Sequence, residues 1–467
     1  MKHLSLFIIV AALSMSCRTT EEESEIKVLP GAGGNNPTPV PDPNDGGGDD
    51  LEDIGALKHK GFEVLFTNPE CANYLYGQNV VSVGGQTLTQ KPKNTFCTQN
   101  DAAASATRAD APQAKLLEWI KDPTTKEIFF AYLSFSNRTV QTELCKAVTE
   151  RNVKVTFVLD NTTDLARAND LLACVPANGD PAFKPKLLRR GHGEGVGYAH
   201  NKVFFINPND GDIRLAISSG NMTSGIVLHH ENWLFIQPAR DSYFTEIHRC
   251  LMNGQIDHHE TKTKYQKFIK DCRSKITFKE ETDIKAFFVP GDGEQATKKI
   301  EEAIPEAATI RLAAHRFSYN KLIAALKKEL ESSSPAQLSM IFDDDTYWAG
   351  KGTPTGDNTA SEYTNATSLT SRGAEARWME TNHSGHLLHH NKFLIFNMPQ
   401  GSTKKSAVFT GAGNLTGTAF SSNFENFYYI ENQAIIDAYN KQYDHLWGTL
   451  STKTDNMPKQ NTLPIGI

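Results

Sequence analysis

The feature that most constrains this chain is an internal duplication. Short polar anchors recur in the same order in both halves. AHNKVFFIN at 199–207 is matched by HHNKFLIFN at 389–397, SSGNMTSG at 218–225 by GAGNLTGT at 411–418, and HHENWLFI at 229–236 by NFENFYYI at 423–430. The two His-Asn-Lys triplets lie 190 residues apart. His200 to Asn221 spans 21 residues and His390 to Asn414 spans 24; Glu231 and Glu425 follow those asparagines by 10 and 11. An offset of this size describes two domains and not a solenoid.

The segments upstream repeat as well. IFFAYLSF, NRTVQTELCKAVTER and VKVTFVLD read as strand, helix and strand, and so do TIRLAAHRF, SYNKLIAALKKELESS and AQLSMIFDDD. This rhythm predicts an α/β protein of two similar domains, each a mixed sheet largely covered by helices. The expected domains are 55–272 and 273–450, with a long inserted loop at 346–372 and a loose tail at 451–467.

The repeated polar residues suit phosphate chemistry. On a strand, a period of two places His200, Lys202, Phe204 and Ile206 on one face and Asn201, Val203, Phe205 and Asn207 on the other. His390 and Lys392 share a face in the same way. An imidazole beside an ammonium offers a nucleophile or proton donor next to a charge for a non-bridging phosphate oxygen. Asn221 and Asn414 follow small residues in tight turns, where a carboxamide N–H can bind a second oxygen. Glu231 and Glu425 each open a further strand, and a carboxylate is the usual means of fixing an imidazole tautomer. His383, His386, His389 and His390 form a cluster without a convincing carboxylate or cysteine set, so no metal is assigned there. His192, Arg189 and Arg190 precede the first motif and suit either an approach to phosphate or a solvated strand end.

With these residues the chain resembles the phospholipase D superfamily, whose motif is His-x-Lys followed by Asp and then Gly-Ser-x-Asn. The matching positions are His200, Lys202 and Asn221, and His390, Lys392 and Asn414, within a resemblance over roughly residues 60–450. It implies one active site at a pseudo-two-fold interface between two phospholipase D-like domains. It also implies attack by one histidine to give a phosphohistidine, protonation of the leaving alcohol by the other, and no metal or other cofactor. The resemblance favours His200 as nucleophile and His390 as general acid. Two features depart from the pattern. The family aspartate position holds Asn207 and Asn397, whose side chains strand alternation turns away from the His/Lys face, and the Gly-Ser pair appears as Ser218-Ser219 and Gly411-Ala412.

The ends and the cysteines bear on location. Lys2, the apolar run Leu4–Leu13 and the small residues before Cys17 read as an export signal over residues 1–17. The placement of Cys17 resembles a bacterial lipoprotein cleavage site, although Ser14 stands where leucine is usual; a plain secreted protein is the alternative. Residues 18–54 carry ten acidic and two basic side chains among Gly and Pro and read as a disordered tether. They account for the chain's net charge of −6, and the folded part is nearly neutral, which favours neither a polyanion nor its exclusion. Of seven cysteines, six remain after Cys17; the local pairs 71–97, 145–174 and 250–272 are expected as disulfides of an exported protein. The expected substrate is a phosphodiester, with phospholipid favoured over nucleic acid, cleaved by a monomer-competent enzyme at the bacterial cell envelope. A metal-independent nuclease and a catalytically weakened binding protein are the alternatives.

Overall fold

The computed structural model describes residues 55–69, 79–83, 86–90, 99–209, 211–352, 360–379, 381 and 388–457. The export signal, the tether with Cys17, Cys71, Cys97, His383 and His386 lie outside these residues. The strands in chain order are β1 (His59–Thr67), β2 (Asn79–Val83), β3 (Gln86–Gln90), β4 (Glu127–Tyr132), β5 (Lys154–Asp160), β6 (Lys186–Arg190), β7 (Val203–Ile206), β8 (Arg214–Ser218) and β9 (Glu231–Pro238). They continue with β10 (Ile284–Val289), β11 (Thr309–Ala314), β12 (Gln337–Asp343), β13 (Glu375–Met379), β14 (Lys392–Asn397), β15 (Ala407–Gly411), β16 (Glu425–Ile430) and β17 (Ser451–Lys453).

Two large mixed sheets result. The first runs β1-β9-β8-β7-β4-β5-β6 and the second β10-β16-β15-β14-β11-β12-β13-β17, so the order is the same twice, with β17 added to the second; β2 and β3 form a separate hairpin. In each sheet the inner strand pairs in parallel with the strand that follows its crossover helix (β4 with β5, β11 with β12) and antiparallel with the strand that carries the His-Asn-Lys triplet or begins just after it (β4 with β7, β11 with β14). The crossover helices are Arg138–Arg151 and Asn320–Leu330. The first is capped by Asn137, whose side chain accepts from Val140 N, and ends at Asn152 in the left-handed region.

Side-chain alternation joins the halves. Val203 and Phe205 on β7, with Phe393 and Ile395 on β14, enter a hydrophobic cluster common to both halves. Their neighbours Phe204 and Ile206, and Leu394 and Phe396, enter separate clusters under the outer helices of each half. The common cluster also receives Phe244, Ile247 and Leu251 from the helix Tyr243–Asp257, and Ile436, Tyr439 and Tyr443 from the helix Gln433–His445. These rows make the halves one packed body at the sheet ends where the polar anchors emerge.

Two expectations require correction. The segment 346–372 is not a plain loop: it carries most of the helix Asp344–Gly350, which buries Tyr347 and Trp348, and the helix Ala360–Thr370, which buries Ala366, Leu369 and Glu362. Residues after 450 are not wholly a tail, because β17 pairs antiparallel with β13 and closes that sheet edge. Trp378 Nε1 donates to Thr454 Oγ1 just beyond it, 3.0 Å away. The disulfides Cys145–Cys174 and Cys250–Cys272 are formed, with Cα separations of 5.7 and 5.9 Å.

Candidate active site

The site is assembled by an exchange of backbone between the halves. His200 N donates to Phe424 O and Phe424 N to Tyr198 O, both at 2.9 Å. In the counterpart, His390 N donates to His230 O at 2.9 Å and His230 N to Leu388 O at 2.8 Å. The segment before each histidine is thus paired with the segment before the other half's glutamate. His200 Nδ1 lies 2.8 Å from Glu425 Oε2, and His390 Nδ1 lies 3.3 Å from Glu231 Oε1. Each carboxylate faces the imidazole of the opposite half.

The asparagines that follow the glutamates tighten the same exchange. Asn426 Oδ1 accepts from Lys202 N at 2.8 Å, and Asn232 Oδ1 accepts from Lys392 N at 3.2 Å. Two aspartates at strand ends complete it: Asp160 Oδ2 accepts from Ala199 N at 2.7 Å and Asp343 Oδ2 from His389 N at 2.8 Å. Each therefore fixes the residue immediately before a motif histidine. The sequence signal for these four residues is the Glu-Asn pair and the aspartate that closes the preceding strand, each present twice in register.

Lys202 and Lys392 are buried, at 0% and 2% exposure. Lys202 Nζ donates to His200 O at 3.1 Å and stands 3.0 Å from His200 Nε2. An ammonium there donates to the Nε2 lone pair, which places the imidazole proton on Nδ1, toward Glu425. Lys392 Nζ donates to His390 O at 3.0 Å and across the interface to Ser219 O at 3.2 Å. Burial pushes Lys202 down to about 8 against the opposing pull of Glu425 and Glu231. Burial lowers Lys392 well below the ordinary lysine value, Lys202 lowers it further, and the same two carboxylates oppose this. Both lysines and both glutamates therefore share one electrostatic environment.

The histidines are depressed for related reasons. Burial lowers His200, Glu425 opposes the shift, and Lys202 adds to it. Burial holds His390 well below its ordinary value, reinforced by Lys392 and then His315 and His229. Both imidazoles are neutral near pH 7 before substrate enters. A phosphodiester anion between the ammonium groups offsets their repulsion and favours a proton on one imidazole.

Asn221 and Asn414 sit half-buried in the turns after β8 and β15, and neither Oδ1 has a hydrogen-bond partner among the described residues. Gly220, beside Asn221, is required by close approach: a Cβ there would stand 1.6 Å from Glu231 Oε2. Ser219 Oγ accepts from Asn232 N at 3.0 Å, and Ala412 offers no such acceptor in the second half. Asn207 and Asn397 are elsewhere. Asn207 has φ of 52°, accepts from Lys126 N and Glu127 N, and donates to Thr124 O and Asp212 O. Asn397 exchanges amide hydrogen bonds with Asn440. Both serve as staples at the far end of the motif strand, and Asn207 uses its donor and acceptor together, which a carboxylate cannot do.

Of the basic residues before the first motif, Arg190 is spent on the carbonyls of Gln255 and Ile256 at the end of the helix Tyr243–Asp257. His192 Nε2 lies 3.2 Å from Asp160 Oδ1. Two residues near His390 were not singled out in the sequence. His229 lies with its ring centroid 5.9 Å from that of His390, and His315 at 5.1 Å. The second-half residue at the position of His229 is Asn423, so the two sides of the site are chemically unequal.

No curated protein matches this chain in sequence. Among solved structures, the phosphatidylserine synthase of Haemophilus influenzae Rd KW20 superposes with a TM-score of 0.52 at 13% identity, over 73% of this chain and 84% of that one. The yeast tyrosyl-DNA phosphodiesterase gives a TM-score of 0.43 at 13% identity, over 68% and 86%. The phospholipase D family member Nuc from Salmonella typhimurium gives 0.28 at 18% identity, over 37% and 98%. Residues 298–447 match the family model described as "Cardiolipin synthase, PLD-like domain". The second half thus carries a PLD-like domain, and the same strand order and the same His-x-Lys motif recur in the first half.

Proposed function

We propose that this chain is a phosphodiester hydrolase acting on phospholipid head groups through a phosphohistidine. The observation that carries the reading is the pair of His/Lys couples joined by exchanged carboxylates, above all His200 Nδ1 at 2.8 Å from Glu425 Oε2 and Nε2 at 3.0 Å from Lys202 Nζ. Phosphate enters at the ammonium groups and frees the Nε2 lone pair. That lone pair forms a P–N bond as the P–O bond to the leaving alcohol breaks, and His390 transfers a proton to the departing oxygen. Water then attacks phosphorus, gives a proton to His390, and breaks the P–N bond to regenerate His200. Lys202, Lys392 and the amides of Asn221 and Asn414 stabilise charge on the equatorial oxygens. Both couples belong to one chain, so a monomer is sufficient.

The lipid preference rests on the matched family description, which names a cardiolipin synthase, and on the leader and Cys17, which suit export and anchoring at a membrane. The disulfides fit an oxidising compartment. Among the described residues no helix is long and apolar enough to cross a membrane, so the anchor in this reading is the lipidated cysteine. The test is release of head group from vesicles of phosphatidylcholine, phosphatidylglycerol or cardiolipin, compared with cleavage of single-stranded and duplex DNA, all in EDTA. Faster turnover of lipid supports the proposal; faster turnover of DNA makes the protein a nuclease, and binding without turnover makes it a receptor for a phosphate ligand.

A further inference from the structure

The asymmetry beside His390 has its own chemistry. His229, Glu231 and His390 each bring one ligand atom within 4.8 Å of the other two, and Glu231 Oε1 lies between His229 Nδ1 and His390 Nδ1. Oε1 is 3.4 Å from the first nitrogen and 3.3 Å from the second. Glu231 is fully buried and His390 is 6% exposed, yet neither Oε1 nor His390 Nδ1 has a hydrogen-bond partner among the described residues. Bonds of about 2.0–2.2 Å to a tetrahedral cation imply ligand separations of about 3.3–3.5 Å. The two separations from Oε1 match those of ligands around a common ion, and small side-chain shifts would bring the third into place. Trp233 Nε1, 3.4 Å from Glu231 Oε2, steadies the carboxylate from behind.

The opposite side lacks this arrangement. Glu425 Oε2 faces His200 Nδ1 at 2.8 Å, while Oε1 accepts from Asn423 Nδ2 at 3.0 Å. Both oxygens are occupied, and an amide replaces the third ligand.

We propose that His229, Glu231 and His390 form a binding site for a zinc-class divalent cation, and that its occupation inhibits the enzyme. Two imidazoles and one carboxylate select zinc over magnesium, which prefers an all-oxygen octahedron. Lys202 and Lys392 both act on His390 and oppose a cation, so the ion is held reversibly and is not a permanent structural metal. Coordination at Nδ1 confines the proton of neutral His390 to Nε2 and takes away the carboxylate facing it. Glu231 then no longer orients the imidazole that faces the leaving oxygen. Only this inhibitory consequence rests on the proposed reaction; the binding does not.

The test uses the full chain, freed of metal with EDTA and titrated with zinc against a chromophoric chelator, beside His229→Asn and His229→Gln variants whose folding is checked by circular dichroism. The wild type is expected to take up one equivalent of zinc that both variants bind at least tenfold more weakly, while magnesium does not compete. Zinc is expected to suppress wild-type phosphodiesterase turnover and to leave each variant at its own zinc-free rate. Equal zinc affinity in the wild type and both variants, or no uptake by the wild type, overturns the site. Zinc uptake lost in the variants, in a protein with no phosphodiesterase activity at all, upholds the site and refutes the catalytic reading instead.

Discussion

Acidification should loosen the interface between the halves before it exhausts the rest of the fold, and His248 provides the measure. This residue lies on the helix Tyr243–Asp257 and is fully buried. Nδ1 donates to Phe244 O at 2.6 Å, and Nε2 accepts from Tyr428 Oη, on the other half, at 2.9 Å. Asn426 Nδ2 donates to the same hydroxyl at 3.3 Å, which links the network to the asparagine that positions Lys202. Burial drives His248 down to about 4. A histidine depressed in the folded state contributes no pH dependence above its unfolded value of roughly 6.5. As pH falls below that value the unfolded chain takes up the proton first, and stability is lost until the folded value is reached. At pH 5 the gap is about 1.5 pH units, worth about 2 kcal/mol, from His248 alone. His230, lowered by burial to about 3, follows the same rule with a similar loss at pH 5. Together they remove about 4 kcal/mol from a total that is typically about 5–15 kcal/mol. The assay is urea unfolding at pH 7.5 and pH 5.0 for the wild type and His248→Gln, which cannot titrate. The variant should be less stable at pH 7.5 but lose about 2 kcal/mol less than the wild type over the interval. An identical loss in both proteins refutes the assignment of a buried, neutral His248.

Three further outcomes are expected. Glu425→Gln removes the carboxylate that raises His200, so His200 falls further and the acid limb of kcat/KM moves to lower pH; an unmoved or upward-shifted limb would show that Glu425 does not act on the attacking imidazole. Asp160→Ala frees the segment before His200 and should lower kcat by about 10²-fold with little change in KM, read from steady-state kinetics on an aryl phosphodiester; unchanged kcat counts against its positioning role. Asn207→Asp, which restores the family residue, loses two donated hydrogen bonds and should cost about 1–3 kcal/mol in urea unfolding while leaving kcat unchanged; a rise in activity would place this residue in the chemistry after all.

The sequence was most informative where polar residues repeat. His200/Lys202 and His390/Lys392 were legible because chance does not readily reproduce polar anchors in the same order twice, and the strand and helix patterns around them indicated the α/β class but not the strand order of either sheet. The exchange of Glu231 and Glu425 was not legible, since a strand's period gives the face a side chain occupies but not the half that meets it. The helices at 344–370 were missed because half of what they bury is polar, Asp344, Asp345, Thr346 and Glu362, the last a charge paired with Arg316, so apolar periodicity is weak. The three-residue β17 has no periodicity to read. His229 was visible only as a contrast, HHEN against NFEN, and its meaning depends on Glu231 lying between it and a histidine from the other half.

The central claim is that one site, built from both halves, carries the phosphoryl group on His200. The direct measurement is acid quench of His390→Ala during turnover of an activated aryl phosphodiester, which needs little protonation of its leaving group, followed by peptide mass analysis. The account predicts a trapped phosphoryl adduct on His200 and none in His200→Ala. An adduct on His390 in the wild-type protein would reverse the two roles, and full activity of His200→Ala would contradict the mechanism.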